Sequence, residues 1–126
     1  MSVKMHLLGV TLAAVLGSGA CAPLSQSAAA SERRATLLVE NNNWADMNVY
    51  LVRDGMKTRV GNVPSLSRSV FVLSEAMLGG ATELRLLADP IGSSQVFVSQ
   101  PIHVQPGQQV RFRLENNVNL SSYSVF

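Results

Sequence analysis

The sequence predicts one all-β domain over residues 36–126, an antiparallel β-sandwich of seven or eight short strands with one short helix. Short runs of alternating apolar and polar residues favour strands with one buried face and one wet face. Turn signals separate these runs at spacings of roughly 8–12 residues, which is typical of sandwiches. Of the 126 residues, about a hundred follow the N-terminal segment, which is enough for one hydrophobic core without disulfides or metal.

The dipeptide Asp54-Gly55 is the clearest turn, because both central residues of a tight hairpin turn need positive φ. Before it, Met47, Val49 and Leu51 share one face of a strand. Counting outward from the turn keeps one apolar face in both strands and predicts three facing pairs, which are Arg53 with Met56, Leu51 with Thr58 and Val49 with Val60.

The short helix and an edge strand are expected in the second half of the domain. Residues 74–79 predict one or two helical turns that Ser74 caps and Gly79 ends. A strand over residues 95–99 is expected to continue through residues 102–104. Pro101 removes a main-chain donor from it, so this strand is predicted to be an edge strand or to be bulged at the proline.

The most regular alternation lies near the C-terminus, where Val110, Phe112 and Leu114 are predicted to point inward from one strand. Turn residues flank this strand on both sides. The remaining predicted strands begin at residue 35 and cover residues 69–73, 83–88 and 122–126.

Residues 1–20 have the layout of a secretory signal. Lys4 and the amino terminus supply positive charge, residues 7–16 are apolar, and residues 17–20 are small. The apolar run is shorter than the roughly 20 residues that a transmembrane helix needs. We therefore predict that the mature part of the chain works outside the cytoplasm.

Cys21 is the only cysteine, so no disulfide can form within the chain. It directly follows Ser18-Gly19-Ala20, and this segment resembles the lipobox of bacterial lipoproteins, in which the cysteine receives a diacylglyceryl group. Gly19 and Ala20 fit that pattern, while Ser18 stands where leucine is usual. The resemblance implies a lipid anchor at Cys21. Ser18 and Ala20 also suit the ordinary signal peptidase, which would leave a free thiol.

Residues 21–35 are predicted to form a lipidated, flexible linker between the anchor and the domain. Ala22 is not aspartate, and by analogy with sorting in diderm bacteria this favours the outer membrane. A cut after Ala30, within a run of alanines, is a further alternative. That cut, or one before Cys21 without lipidation, would make the protein a soluble periplasmic or secreted one.

Four segments of the mature chain resemble small, uncharacterised bacterial lipoproteins with an immunoglobulin-like or transthyretin-like β-sandwich. The resemblance implies the fold and a place in the cell envelope. It brings no catalytic motif and no established activity. The segments are Val39-Glu40-Asn41-Asn42-Asn43-Trp44, residues 47–53, residues 84–92 and residues 111–117.

The mature chain offers little that suggests catalysis or cofactor binding. His103 would be its only histidine, and no Gly-x-Ser-x-Gly motif accompanies it, so we interpret it as an outward-facing strand residue. Metal and cofactor sites are not predicted, because thiol pairs and a second histidine are lacking. Removing Lys4 leaves nine of the ten Lys and Arg residues against eight Asp and Glu, which argues against nucleic-acid binding.

Trp44 is the sole tryptophan, and it follows a run of asparagines. One interpretation is an exposed indole that stacks on a sugar ring, with Asn42, Asn43 and Tyr50 as further ligand-binding residues. The other is a core or rim tryptophan that closes one end of the sandwich, with the asparagines forming a turn. Both interpretations stay open at the level of sequence.

These observations predict a membrane-anchored envelope lipoprotein that acts as a non-catalytic interaction or structural module. The expected partners are the membrane, through the lipid anchor, and another envelope protein. The alternative is a periplasmic protein that binds a small ligand or a glycan, although the sequence identifies no particular ligand.

Overall fold

The structure is a computed structural model that describes residues 34–79 and 84–126. The predicted signal segment, Cys21 and nearly all of the predicted linker lie outside the described residues. Eight strands, one α-helix and one 3₁₀ helix follow one another along the chain: β1 (Ala35–Asn41), β2 (Met47–Arg53), β3 (Met56–Val63), β4 (Arg68–Leu73), α1 (Glu75–Leu78), β5 (Leu84–Pro90), β6 (Phe97–Val98), β7 (Gln109–Leu114), the 3₁₀ helix (Val118–Leu120) and β8 (Ser122–Val125).

The strands form two four-stranded sheets that pack face to face. Sheet A has the order β4-β1-β7-β8, and sheet B has the order β3-β2-β5-β6. The predicted β-sandwich of seven or eight short strands is therefore confirmed, and the number of strands is eight. Neighbouring strands are antiparallel except β1 and β7, which are parallel because both run from the end that holds Ala35 to the end that holds Asn41.

The core lies between the sheets and consists mainly of every second residue of the four inner strands. Because successive strand residues point to opposite faces, the buried positions of β1, β2, β5 and β7 meet at the centre. Phe112 is fully buried there, and its ring centroid lies 5.6 Å from that of Phe97. The inward direction predicted for the residues of β7 is confirmed for Val110, Phe112 and Leu114.

The β2–β3 hairpin keeps the predicted register only near its turn. Asp54 and Gly55 have φ values of 49° and 81°, as the tight turn requires. The pairs of Arg53 with Met56 and of Leu51 with Thr58 form as predicted.

The predicted pair of Val49 with Val60 is wrong. A β-bulge between Val49 and Tyr50 shifts the register, so that Val49 faces Gly61. A Cβ at Gly61 would collide with the ring of Phe71 on β4. The shift thus places the residue without a side chain where that ring packs.

The strand predicted over residues 95–99 and 102–104 is much shorter. Only Phe97 and Val98 form β6, and Ile102 makes an isolated bridge to Leu84. β6 is an edge of sheet B, which confirms the prediction drawn from Pro101.

Ser99 explains why the ladder ends there. Its buried hydroxyl accepts a hydrogen bond from the N–H of Leu86 at 2.9 Å and donates to the carbonyl of Gln100 at 2.7 Å. A side chain thereby replaces the main-chain acceptor that a longer strand would have supplied.

The predicted helix is confirmed as α1. The Ser74 hydroxyl accepts a hydrogen bond from the N–H of Met77 at 3.3 Å, and the helix ends before Gly79. In the described part of the chain, neither helix has the length and apolar character that crossing a membrane would require.

Strand directions define two ends of the sandwich. The entry end is where β1 begins at Ala35, together with the β2–β3 turn and α1. The loop end is where β1 finishes. Four connections lie there: residues 42–46, 64–67, 91–96 and 115–121.

Candidate interaction surface

The structure separates Tyr50 from the other predicted ligand-binding residues. Asn42, Asn43 and Trp44 share the first connection of the loop end, whereas Tyr50 lies within β2. The Tyr50 side chain is half-buried on the outer face of sheet B, and the Nζ atom of Lys57 lies 4.7 Å from its ring centroid.

Asn41, the last residue of β1, holds the loop end together from inside. It is fully buried, and its Nδ2 atom lies within hydrogen-bonding distance of three carbonyl oxygens, those of Ala45 at 2.9 Å, Val63 at 3.1 Å and Pro64 at 2.9 Å. Its Oδ1 atom accepts the N–H of Asn43 at 2.9 Å. One amide therefore joins the connection after β1 to the connection after β3.

Asn43 makes the matching link to the connection after β7. Its Nδ2 atom donates to the carbonyls of Glu115 at 2.9 Å and Asn116 at 3.1 Å, and its Oδ1 atom accepts the N–H of Ala45 at 2.8 Å. Its main-chain carbonyl accepts the N–H of Leu66 at 3.1 Å. The side chain is buried and bonded throughout by the protein itself.

Asn42 points the other way, into solvent. Its N–H donates to the carbonyl of Leu114 at 2.8 Å, and its side-chain amide lies 3.3 Å from a carboxylate oxygen of Glu115. Of the three consecutive asparagines, only this one presents an exposed side chain.

Trp44 is exposed over 75% of its surface. Its main-chain N–H donates to the Oδ1 atom of Asn116 at 3.1 Å, so the backbone is held while the indole projects outward. A tryptophan with this exposure contributes little to the core.

The other three connections at the loop end each expose a large aliphatic side chain as well. Leu66 is 58% exposed, Ile91 is 56% exposed and Leu120 is 70% exposed. We call these three residues and Trp44 the loop-tip residues. The three aliphatic residues were not predicted from the sequence, where the available signal was an apolar residue inside each otherwise polar turn.

Hydrogen bonds fix the positions of two of these tips relative to Trp44. The N–H of Ile91 donates to the carbonyl of Asp46 at 2.9 Å, and the Asp46 carboxylate accepts the N–H of Ser65 at 2.9 Å. Leu66 has a φ of 52°, a left-handed conformation that is uncommon for a residue other than glycine. The loop end is thus a bonded unit with apolar side chains outside.

The entry end contains a concave region. This cavity has a volume of about 1040 Å³, and its wall is mostly apolar. Arg34, Glu75 and His103 bring charged or polar groups to its rim. His103 is exposed, as predicted, although it lies outside any strand.

Metal-ligating side chains do not converge anywhere in the described ranges, since no three of His, Cys, Asp or Glu approach closely enough to hold an ion. Glu40 instead bridges two arginines on the outer face of sheet A, with Arg68 at 3.1 Å and Arg113 at 3.3 Å.

Comparison with known proteins finds likeness among solved structures. No protein-family model matches the chain, and no curated protein matches it. Among solved structures, the chain is similar to a protein from Eubacterium rectale determined by NMR. The two share 16% sequence identity over 76% of this chain and 89% of that chain, with a TM-score of 0.45.

Proposed function

We propose that this protein is a membrane-anchored lipoprotein of the bacterial cell envelope that acts as a non-catalytic interaction module. It binds another envelope protein through the four loop-tip residues. The observation that carries the proposal is their exposure at one end of the sandwich, the end opposite Ala35, where the chain enters the domain.

Single exposed apolar residues are ordinary on protein surfaces. Here, however, each of the four connections at one end exposes at least one large apolar side chain. Grouped exposed apolar residues mark interaction sites, and tryptophan is among the residues that contribute most to binding at protein interfaces. The surrounding hydrogen bonds keep the tips ordered before binding, which lowers the entropic cost of association.

The direction of the chain suits an anchor at Cys21. Residues N-terminal to Ala35 join the domain at the entry end, so an acylated Cys21 would tether the domain by the end opposite the loop-tip residues and leave them accessible. Acyl chains contribute about 0.8 kcal/mol per buried CH₂, and two or more give a stable anchor. With Ala22 after the cysteine, we place the protein at the outer membrane. Without lipidation it would be soluble in the periplasm or secreted.

The alternative function, binding of a small ligand or glycan, has its own supporting observation in the cavity at the entry end. Because that cavity lies at the opposite end from Trp44, a ligand bound in it would leave the tryptophan fluorescence unchanged. A glycan stacked on the indole would quench it. Titration of envelope glycans against the intrinsic fluorescence therefore separates the two sites.

Site-directed photo-crosslinking in a diderm host tests the interaction. A benzophenone amino acid replaces Leu66 or Leu120 in the full-length chain, and Met56 provides the control. Met56 is 63% exposed but lies at the entry end. We expect both loop-end positions to yield the same adduct, and Trp44→Ser to reduce its yield several-fold. An identical adduct from position 56, or none from the loop end, would contradict the proposal.

The anchor is tested separately by the intact mass of the mature protein, with Cys21→Ala as the control. A chain that begins at residue 21 and carries a diacylglyceryl and an acyl increment, both lost in the control, is the expected result. A chain that begins at residue 21 or 31 without lipid would refute the anchor and leave the interaction surface untouched.

A further inference from the structure

Strand β4 is an edge of sheet A with an unused side. Its residues pair with β1 alone, and among the described residues no other strand bonds to its outer side. An edge strand of this kind offers unpaired N–H and C=O groups to another strand.

The hydrogen bonds of β1 show which groups of β4 are unpaired. The N–H groups of Thr36 and Asn42 donate to carbonyls on the β7 side at 3.0 and 2.8 Å, whereas that of Asn41 donates to Ser67, next to β4, at 2.8 Å. Main-chain groups point alternately to the two sides of a strand. The odd-numbered residues of β1 therefore bond to β4.

The register between β1 and β4 shows which residues of β4 bond to β1. Leu37 faces Phe71 and Val39 faces Ser69, so the odd-numbered residues of β4 direct their main-chain groups towards β1. The N–H and C=O groups of Arg68, Val70 and Val72 consequently point away from it, into solvent.

The side chains of Val70 and Val72 favour burial rather than protection of the edge. Val70 and Val72 are 61% and 53% exposed on the outer face of sheet A, although β-branched residues suit the interior of a sheet. On the inner face, the ring of Phe71 packs against Gly61 and closes the gap between the sheets. Sheet A can thus extend past β4 without opening the core.

We propose that β4 pairs with β4 of a second copy of this chain, antiparallel, about a two-fold axis through Val70. This pairing joins two A sheets into one continuous sheet. Val70 then faces Val70 of the second copy, and Arg68 faces Val72. The inference is independent of the function proposed for the loop end.

In this register, the outward-pointing N–H and C=O groups of β4 in one copy pair with the corresponding groups of β4 in the other copy. Because the three residues are spaced by two, placing Val70 on the axis gives every one of their N–H and C=O groups a partner. Shifting the axis by one residue leaves some of them unpaired. Like charges directly opposite one another destabilise a sheet, and here Arg68 faces a valine while Glu40 binds its guanidinium at 3.1 Å.

The remaining edges are poor templates for the same contact. Strand β3 exposes Lys57 and Arg59 and contains the bulge, and lysines and bulges both discourage edge pairing. Strand β6 has two residues and β8 has four. Among the described edges, β4 is the one that is both long and unprotected.

Sedimentation velocity over a range of concentrations tests the association. All variants carry Cys21→Ala in the full chain, so neither acyl groups nor an intermolecular disulfide can join copies. Because a single strand pair forms a small interface, we expect a dimer that dissociates on dilution. Val70→Lys places two ammonium groups face to face and should abolish it, with an unchanged circular dichroism spectrum. The matched control, Val98→Lys on β6, should dimerise like the parent.

Disulfide trapping tests the register, which sedimentation cannot. With Cys21 removed, Val70→Cys supplies one thiol per chain. Residues facing each other in a hydrogen-bonded pair have Cα atoms about 5.5 Å apart, within disulfide range. Val72→Cys is equally accessible, but the two copies of residue 72 would lie roughly 13 Å apart along the strands. With oxidised glutathione, we expect the position-70 dimer to form roughly tenfold faster or more.

Sedimentation and disulfide trapping can each contradict the proposal. Monomers at all concentrations, or association that survives Val70→Lys, would overturn the β4 contact. Equal trapping rates at positions 70 and 72, or faster trapping at 72, would overturn the register with Val70 on the axis.

Discussion

The two ends of the sandwich are closed in opposite ways. At the loop end, the buried side chains include two amides, those of Asn41 and Asn43, and the exposed ones include a tryptophan and three aliphatic residues. At the entry end, apolar side chains line a cavity, and polar and charged groups lie at its rim. The usual distribution, apolar inside and polar outside, is thus partly inverted at the loop end.

This difference indicates that the loop-tip residues are available for a role other than packing. Buried amides bonded to main-chain carbonyls determine the shape of the loop end, so the apolar side chains there are not needed to hold it. They carry a hydration cost that folding does not remove, since apolar burial contributes roughly 25 cal/mol per Å². We infer that burial against a partner accounts for them.

The largest expected effect is at Asn41. Asn41→Ala should lower the free energy of unfolding by about 2–4 kcal/mol, because it leaves several buried main-chain groups without partners. Urea denaturation followed by circular dichroism measures the change. The control, Asn42→Ala, alters an exposed side chain and should change stability by no more than about 0.5 kcal/mol. Equal effects at the two positions would mean that the buried amides do not hold the loop end.

A smaller effect is expected at Ser99, which lies on the side of the sandwich towards the entry end. Ser99→Ala removes the acceptor for a single buried N–H, that of Leu86. We expect a loss of about 1–2 kcal/mol in the same assay. Ser124→Ala, on the exposed face of β8, serves as the control and should be close to neutral. A loss as large as that of Asn41→Ala would mean that the buried amide at the loop end stabilises the domain no more than the Ser99 hydroxyl does.

Much of this fold follows from the sequence because alternation and turn chemistry are local. The period of two that buries Leu37 and Val39 also predicts that Asn41, the last residue of β1, points inward. The bulge opposite Val49 could not be predicted in this way, because it depends on a ring from β4.

The loop end illustrates the limit most clearly. Which apolar turn residue becomes exposed is decided by hydrogen bonds between distant segments, such as that from Leu66 to the carbonyl of Asn43. The parallel pairing of β1 with β7 likewise depends on how the chain crosses between the sheets. Sequence patterns report neither kind of long-range contact.

The smallest expected effect on stability is at Trp44, and this substitution is the most informative about the loop end. Trp44→Ser should change the free energy of unfolding by no more than about 0.5 kcal/mol, because the indole is already largely in water. For the same reason, the emission of the sole tryptophan should shift little on unfolding, and acrylamide should quench it almost equally in the folded and the denatured chain. Circular dichroism, recorded on the same samples, should show a cooperative transition throughout.

A large loss of stability, or strong protection from acrylamide in the folded chain, would mean that Trp44 is packed against the domain and does not project into solvent. A neutral substitution that also reduces crosslinking from position 66 would assign the indole to binding rather than to folding.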